Sequence, residues 1–275
     1  MSFRAIEMTI SGIKTSDGAG VNLRRMIGSS QLNILDPFLL FDEFGSNNPE
    51  DYIAGFPPHP HRGFETITYM INGKFRHQDS TGNHGYLTDG SVQWMTAGRG
   101  VIHSEMPEQT EGVVRGFQLW LNLPKAKKMI PPSYKDISAE NIPKVDFHGG
   151  RAKVIAGKFR GVTGPGISHT DMFYYDITLH SKKELSTPII DGWNAFLYVY
   201  EGAVMIDQTV EKNQLAVIGK TGDFQIKSGA QGAQLILVAG EPLNEPVARG
   251  GPFVMNTRGE IKKAFEDYQN GNFTP

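Results

Sequence analysis

The 275-residue chain contains no cysteine. Disulfide scaffolds, thiolate metal sites and cysteine nucleophiles are therefore excluded. Nor does one sign of charge dominate, since 27 Lys and Arg stand against 29 Asp and Glu, a formal net charge of −2. Direct binding of nucleic acid calls for a basic face, which this balance does not supply. Long apolar runs are missing too. Phe38 to Phe41 and Leu235 to Ala239 are typical of the longest, whereas a bilayer span needs about 20 residues. The opening segment Met1 to Gly18 has no apolar core of signal-peptide length. The expectation is a monomeric cytoplasmic protein without membrane contact.

What is present suits many short strands. Gly 32 and Pro 16 are high for a helical chain and fit tight turns between strands. Asn72-Gly73, between Thr66 to Ile71 and Lys74 to His77, reads as a hairpin turn, because both residues tolerate positive φ. Asp89-Gly90 launches a strand over Ser91 to Thr96, and Gly116 to Leu123 alternates with Phe117, Leu119, Leu121 and Leu123 on one face. From Lys125 to Pro143 the texture becomes Pro-rich and aperiodic, and Lys125, Lys127 and Lys128 read as a solvated face. The expected division is a barrel over 1–130, a linker over 131–143, and a second barrel with a C-terminal helix over 144–275.

Two short matches suggest a repeat. Tyr69-Met70-Ile71-Asn72-Gly73 resembles Tyr198-Val199-Tyr200-Glu201-Gly202, and Gly90-Ser91-Val92-Gln93 resembles Gly222-Asp223-Phe224-Gln225. At the end of the chain, Thr257 and Glu260 form a T-x-x-E capping box. Ile261, Ala264, Phe265 and Tyr268 then recur at helical spacing, and Gly271 can close the helix.

The chemistry lies in two patterns, His59-Pro60-His61 and His103-Ser104-Glu105. Side chains at i and i+2 of a strand share a face. If both segments are extended and adjacent, three imidazoles and one carboxylate meet around one point. That set suits Fe, Mn, Co, Ni, Cu or Zn. Spacing alone leaves partly exposed polar strand residues as the other reading. His77 faces either way, depending on the turn before it. His84, His148, His169 and His180 have no partner at ligand spacing. Phe56, Phe64, Trp94, Met106 and Trp120 read as core, with one or two lining an apolar mouth. Carried into the second copy, the ligand positions become Pro188, Ile190, Leu235 and Leu237, and Glu65 becomes Asn194, so no metal is expected there.

His59 to Glu65, Met95 to Pro107, Gly240 to Pro246 and Gly251 to Thr257 resemble the pirins, a family of the cupin superfamily. The resemblance implies an all-β bicupin, two β-barrel domains with a short C-terminal helix. It also implies one metal, usually iron, in the first barrel, held by His59, His61, His103 and Glu105. In many cupins the glutamate at the place of Glu65 is itself a ligand, and strand parity puts Glu65 on the face of His59 and His61. In pirins the ligand is the H-x-E glutamate, so Glu65 is expected to orient a ligand or a bound water, or to pair with Arg62 or Arg99. Bacterial pirins imply a quercetin 2,3-dioxygenase, with O2 and a phenolic as substrates and Glu105 or Glu65 removing the hydroxyl proton. The competing implication is a regulator whose metal redox state governs binding of a protein partner.

Overall fold

The computed structural model describes residues 3–274. Apart from three short 3-10 turns and one helix, the described residues form antiparallel strands and their connections. They divide into two compact units.

The unit with the histidine motifs comprises residues 14–28, 38–139 and 243–274. It holds a seven-stranded sheet in the order Ser133–Ile137, Val92–Thr96, Phe64–Asn72, Val114–Asn122, Phe38–Ser46, Val21–Ile27, Ile13–Asp17. A second sheet has the order Phe56–His61, Val101–Pro107, Phe75–Asp79, His84–Leu87. Phe75 and Leu87 from the smaller sheet pack with Leu23, Phe44, Met70 and Val114 from the larger. The expected barrel is thus two sheets face to face, with no continuous ladder closing it.

The Asn72-Gly73 turn differs from its expectation. Phe64–Asn72 pairs with Val92–Thr96 and Val114–Asn122, whereas Phe75–Asp79 pairs with Val101–Pro107 and His84–Leu87. The turn carries the chain from one sheet to the other, because the partners of each strand lie far away in sequence. The linker expected over 131–143 also differs. Its Ser133–Ile137 is an edge strand on Val92–Thr96.

The other unit comprises residues 3–13, 29–37 and 140–242. Its nine-stranded sheet is built on Asn194–Met205 and the sixteen-residue strand Gln225–Gly240. Register shifts at Val199/Glu201 and Gly202/Val204 bend this pair. The bend at Gly202 matches the sheet change at Gly73, so the first repeat match marks equivalent places. The second match does not. Val92–Thr96 flanks Phe64–Asn72 as Gln214–Ile218 flanks Asn194–Met205, which moves the motif equivalents away from Leu235 and Leu237 toward Glu184–Ser186 and its partners Gln225 to Lys227. A four-residue match across loops of unequal length had shifted the alignment.

Both chain ends depart from the expected division. Ile6–Ile10 pairs with Gln214–Ile218. Buried Arg4 fastens that end through the carbonyls of Gly219, Gly222 and Ile189 and an ion pair to Asp191 at 2.9 Å. The helix Arg258–Gln269 belongs instead to the motif unit, where Ala264 packs with Phe253, Phe273 and Ile102. Its capping box is complete. Thr257 Oγ1 accepts from the Glu260 amide, and Glu260 Oε2 accepts from the Thr257 amide at 2.8 Å.

Candidate metal centre

Phe56–His61 tolerates three prolines because it is an edge strand, paired only with Val101–Pro107. Across that pair His103 lies opposite His59 and Val101 opposite His61. The i, i+2 parity and this register bring the three imidazoles together. Ring centroids are 4.7 Å apart for His59 and His61, 4.3 Å for His59 and His103, and 5.0 Å for His61 and His103. Their candidate donor atoms all lie within 4.8 Å of one another.

Backbone carbonyls orient two of the rings. His59 Nδ1 donates to Pro57 O at 2.8 Å, and His61 Nδ1 lies 3.4 Å from Pro252 O. With both protons on Nδ1, the two Nε2 lone pairs face each other at 3.0 Å, repulsive for bare imidazoles. A cation resolves this, since two nitrogens bound about 2.1 Å from one ion at a right angle are about 3 Å apart. His103 is buried, and neither of its ring nitrogens has a hydrogen-bond partner among the described residues. Burial holds His103 and His61 well below the usual imidazole range, with the neighbouring histidines adding to it. Neutral imidazole is the ligating form, so the group is able to hold one metal ion.

Glu105 lies on the same strand beyond a bulge, opposite Phe56, and lines the same cavity. It falls outside the three-histidine group. Thr68 Oγ1 donates to its Oε1 and Gln118 Nε2 to its Oε2, each at 3.2 Å. Gln118 also accepts from Trp120 Nε1 at 3.2 Å. These supports were legible in part, because assigning Phe117, Leu119 and Leu121 to one face assigns Gln118 and Trp120 to the other.

Glu65 lies elsewhere. Along its strand Phe64 meets His61 edge-on and stacks against Trp120, and Thr68 reaches Glu105, so alternation turns Glu65 to the opposite face. There it is fully buried and accepts from Thr96 Oγ1 at 2.7 Å. The expected parity fails because Gly63 (φ +89°) turns the chain between His61 and Phe64. A Cβ at Gly63 would collide with the Val254 carbonyl.

His77 is closer than its open orientation suggested. It is fully buried, stacks on Tyr134 at 4.4 Å, lies 5.3 Å from the His103 ring, and bonds Asp79 through Nε2 at 3.2 Å. His84, His148, His169 and His180 are exposed. Phe56 and Trp120 line the cavity, whose volume is about 630 Å3.

Lys128 contradicts the solvated reading made for it. It is buried, and its Nζ donates to Gly63 O, Asn122 Oδ1 and Val254 O at 2.6 to 3.0 Å. It thereby ties the turn after His61 to the C-terminal segment. Lys128→Met strands three acceptors and is expected to cost about 3 kcal/mol in denaturant melts at pH 7. Burial lowers the Lys128 pKa from 10.5 to about 8. Between those values the unfolded chain holds the proton more tightly, so this residue's contribution to stability rises with pH. Melts from pH 7 to 10 should therefore show the gap between wild type and Lys128→Met widening. A gap that narrows would contradict this.

The fold and site define a double cupin with a three-histidine centre in one unit. Two family models match, Pirin over residues 20–121 and the Pirin C-terminal cupin domain over residues 174–274. A Pseudomonas aeruginosa protein provisionally named a quercetin 2,3-dioxygenase is 46% identical over 271 residues, 95% of each chain. Human pirin is 40% identical over 276 residues, 98% of this chain and 93% of that one. A crystal structure of quercetin 2,3-dioxygenase from Acinetobacter baumannii superposes with a TM-score of 0.91 at 32% identity, covering 99% of both chains. This chain belongs to the pirin family. No helix among the described residues is long and apolar enough to cross a membrane.

Proposed function

We propose that this protein is a cytoplasmic, metal-dependent dioxygenase that opens the ring of a flavonol or related phenolic, of the quercetin 2,3-dioxygenase type, with Fe(II) as its ion. The observation that carries the reading is the facing pair of His59 and His61 Nε2 lone pairs beside His103, at a cavity large enough for a small aromatic. Names borne by the relatives supply the reaction type.

His59, His61 and His103 would hold the ion, with Glu105 as fourth ligand. When bound, the ion supplies Lewis acidity toward the phenolic oxygen and redox capacity toward O2. The protein's own part is positional and protonic. A carboxylate has about four acceptor sites, and Thr68 and Gln118 occupy two at Glu105. The remaining two would be open to the ion and to the substrate hydroxyl proton. Phe56 and Trp120 give the aromatic body an apolar wall, while Phe64 behind Trp120 fixes that wall.

Oxygen-electrode traces test the reading. The Fe(II)-loaded protein is expected to consume O2 on addition of quercetin, with loss of the flavonol absorbance band. No uptake with any flavonol, whether Fe(II), Mn(II), Co(II), Ni(II) or Cu(II) is loaded, would sink the enzyme reading. The redox-sensing regulator would then take its place.

A further inference from the structure

The cavity beside the histidines contains two guanidinium groups with different surroundings. Arg25 is paired with two carboxylates. Its Nε and Nη2 bond the Asp42 carboxylate, the shortest contact being 2.7 Å, and Nη2 also reaches Asp17 at 2.8 Å. Arg249 has no carboxylate partner among the described residues. Its Nη1 lies 3.4 Å from the Leu39 carbonyl, and its Cζ stands 5.0 Å from the centroid of the Trp120 ring. The same indole lies 5.1 Å from the His61 ring. The cation is thus one aromatic ring away from the candidate metal centre, on the wall of the same cavity.

We infer that Arg249 forms an anion subsite at this cavity, and that its preferred ligand is a phenolic carrying a carboxylate. The inference rests on the proposed binding of phenolics at the histidine centre, and it names the class of phenolic. A guanidinium is permanently charged, offers five N–H donors in a planar fork, and matches a carboxylate in bidentate fashion. Among the described residues only one weak acceptor, the Leu39 carbonyl, is supplied to Arg249. Burial and the nearby Arg25 push its pKa down, and Asp42 and Asp17 only partly offset them. An incoming anion relieves that imbalance.

The two ends of the cavity also set the direction of the ligand. The ion and Glu105 at the histidine end would take up the phenolic oxygen and its proton, whereas the planar fork of Arg249 matches a carboxylate. The phenolic hydroxyl is then left toward Glu105 and the histidines. A neutral flavonol gains nothing comparable from Arg249.

The test is calorimetric titration of the metal-loaded protein, without O2, with 3,4-dihydroxycinnamate and with its uncharged methyl ester. Wild type should bind the acid roughly 10- to 100-fold more tightly, the range of a charge-assisted hydrogen-bonded pair. Arg249→Gln should bind acid and ester alike. Arg249→Lys, a point charge without the fork, should keep part of the preference. Raising the salt should shrink the wild-type preference. If both compounds bind but wild type does not discriminate, or discrimination survives in Arg249→Gln, the subsite is refuted while the phenolic site stands. If neither compound binds, the subsite is refuted, and the oxygen uptake with flavonols alone decides the proposed function.

Discussion

The His103→Ala protein is expected to lose more than a hundredfold in affinity for the ion and all flavonol-dependent oxygen uptake. Loss of a group that merely supports a ligand already costs about 10- to 100-fold, and His103 is itself one of the three converging imidazoles. Stability separates this from misfolding. Among the described residues neither His103 nitrogen has a hydrogen-bond partner, so the metal-free variant forfeits no such bond. Its melting temperature should stay near that of metal-free wild type. An ion at 100 times its Kd adds about 2.7 kcal/mol to the native state, on the order of 5 °C or more for a chain of this size. That increment should appear in wild type and vanish in His103→Ala. A variant that keeps both the increment and one bound ion per chain would remove His103 from the centre.

Glu105→Gln is expected to keep the fold and part of the metal while losing about a hundredfold or more in rate, the usual cost of losing a general base. The local hydrogen bonds permit the change. The new amide can turn its oxygen to Gln118 Nε2 and its nitrogen to Thr68 Oγ1, whose hydroxyl rotates to accept. What disappears is the negative charge. Elemental analysis beside steady-state oxygen uptake reads the two effects separately. Normal turnover in Glu105→Gln would exclude this carboxylate as the base. Glu65 was the other candidate, and its position on the far face of its strand makes Glu65→Gln the weaker of the two in expected effect.

The histidine centre was legible because it depends on strand parity and on adjacency of two short segments. His59 and His61 share a face by the period of two, and His103 meets them by direct register. Errors arose wherever a local signal competed with long-range pairing. Asn72-Gly73 has hairpin chemistry, but the flanking strands find partners in different sheets. Glu65 kept the correct count from His61, yet the turn at Gly63 reset the alternation. Lys128 sits in a Pro-rich stretch with exposed lysines at 125 and 127. Only the approach of Gly63, Asn122 and Val254 makes a buried amine possible there. Arg249 carries no local signal at all, because it acquires meaning only beside Trp120.

The exchange of chain ends between the units also sets an order in time. All three histidines and Glu105 have been synthesised by residue 105. The carbonyl that orients His61 belongs to Pro252, the cation beside Trp120 is Arg249, and the helix behind Ile102 begins at Arg258. At the other end, Ile6–Ile10 must wait for Gln214–Ile218 before it has a strand to pair with. A nascent chain halfway through translation therefore carries every candidate ligand but lacks both the wall that steadies them and a partner for its own first strand. The His61 ring gains its orienting carbonyl only once residue 252 has been made.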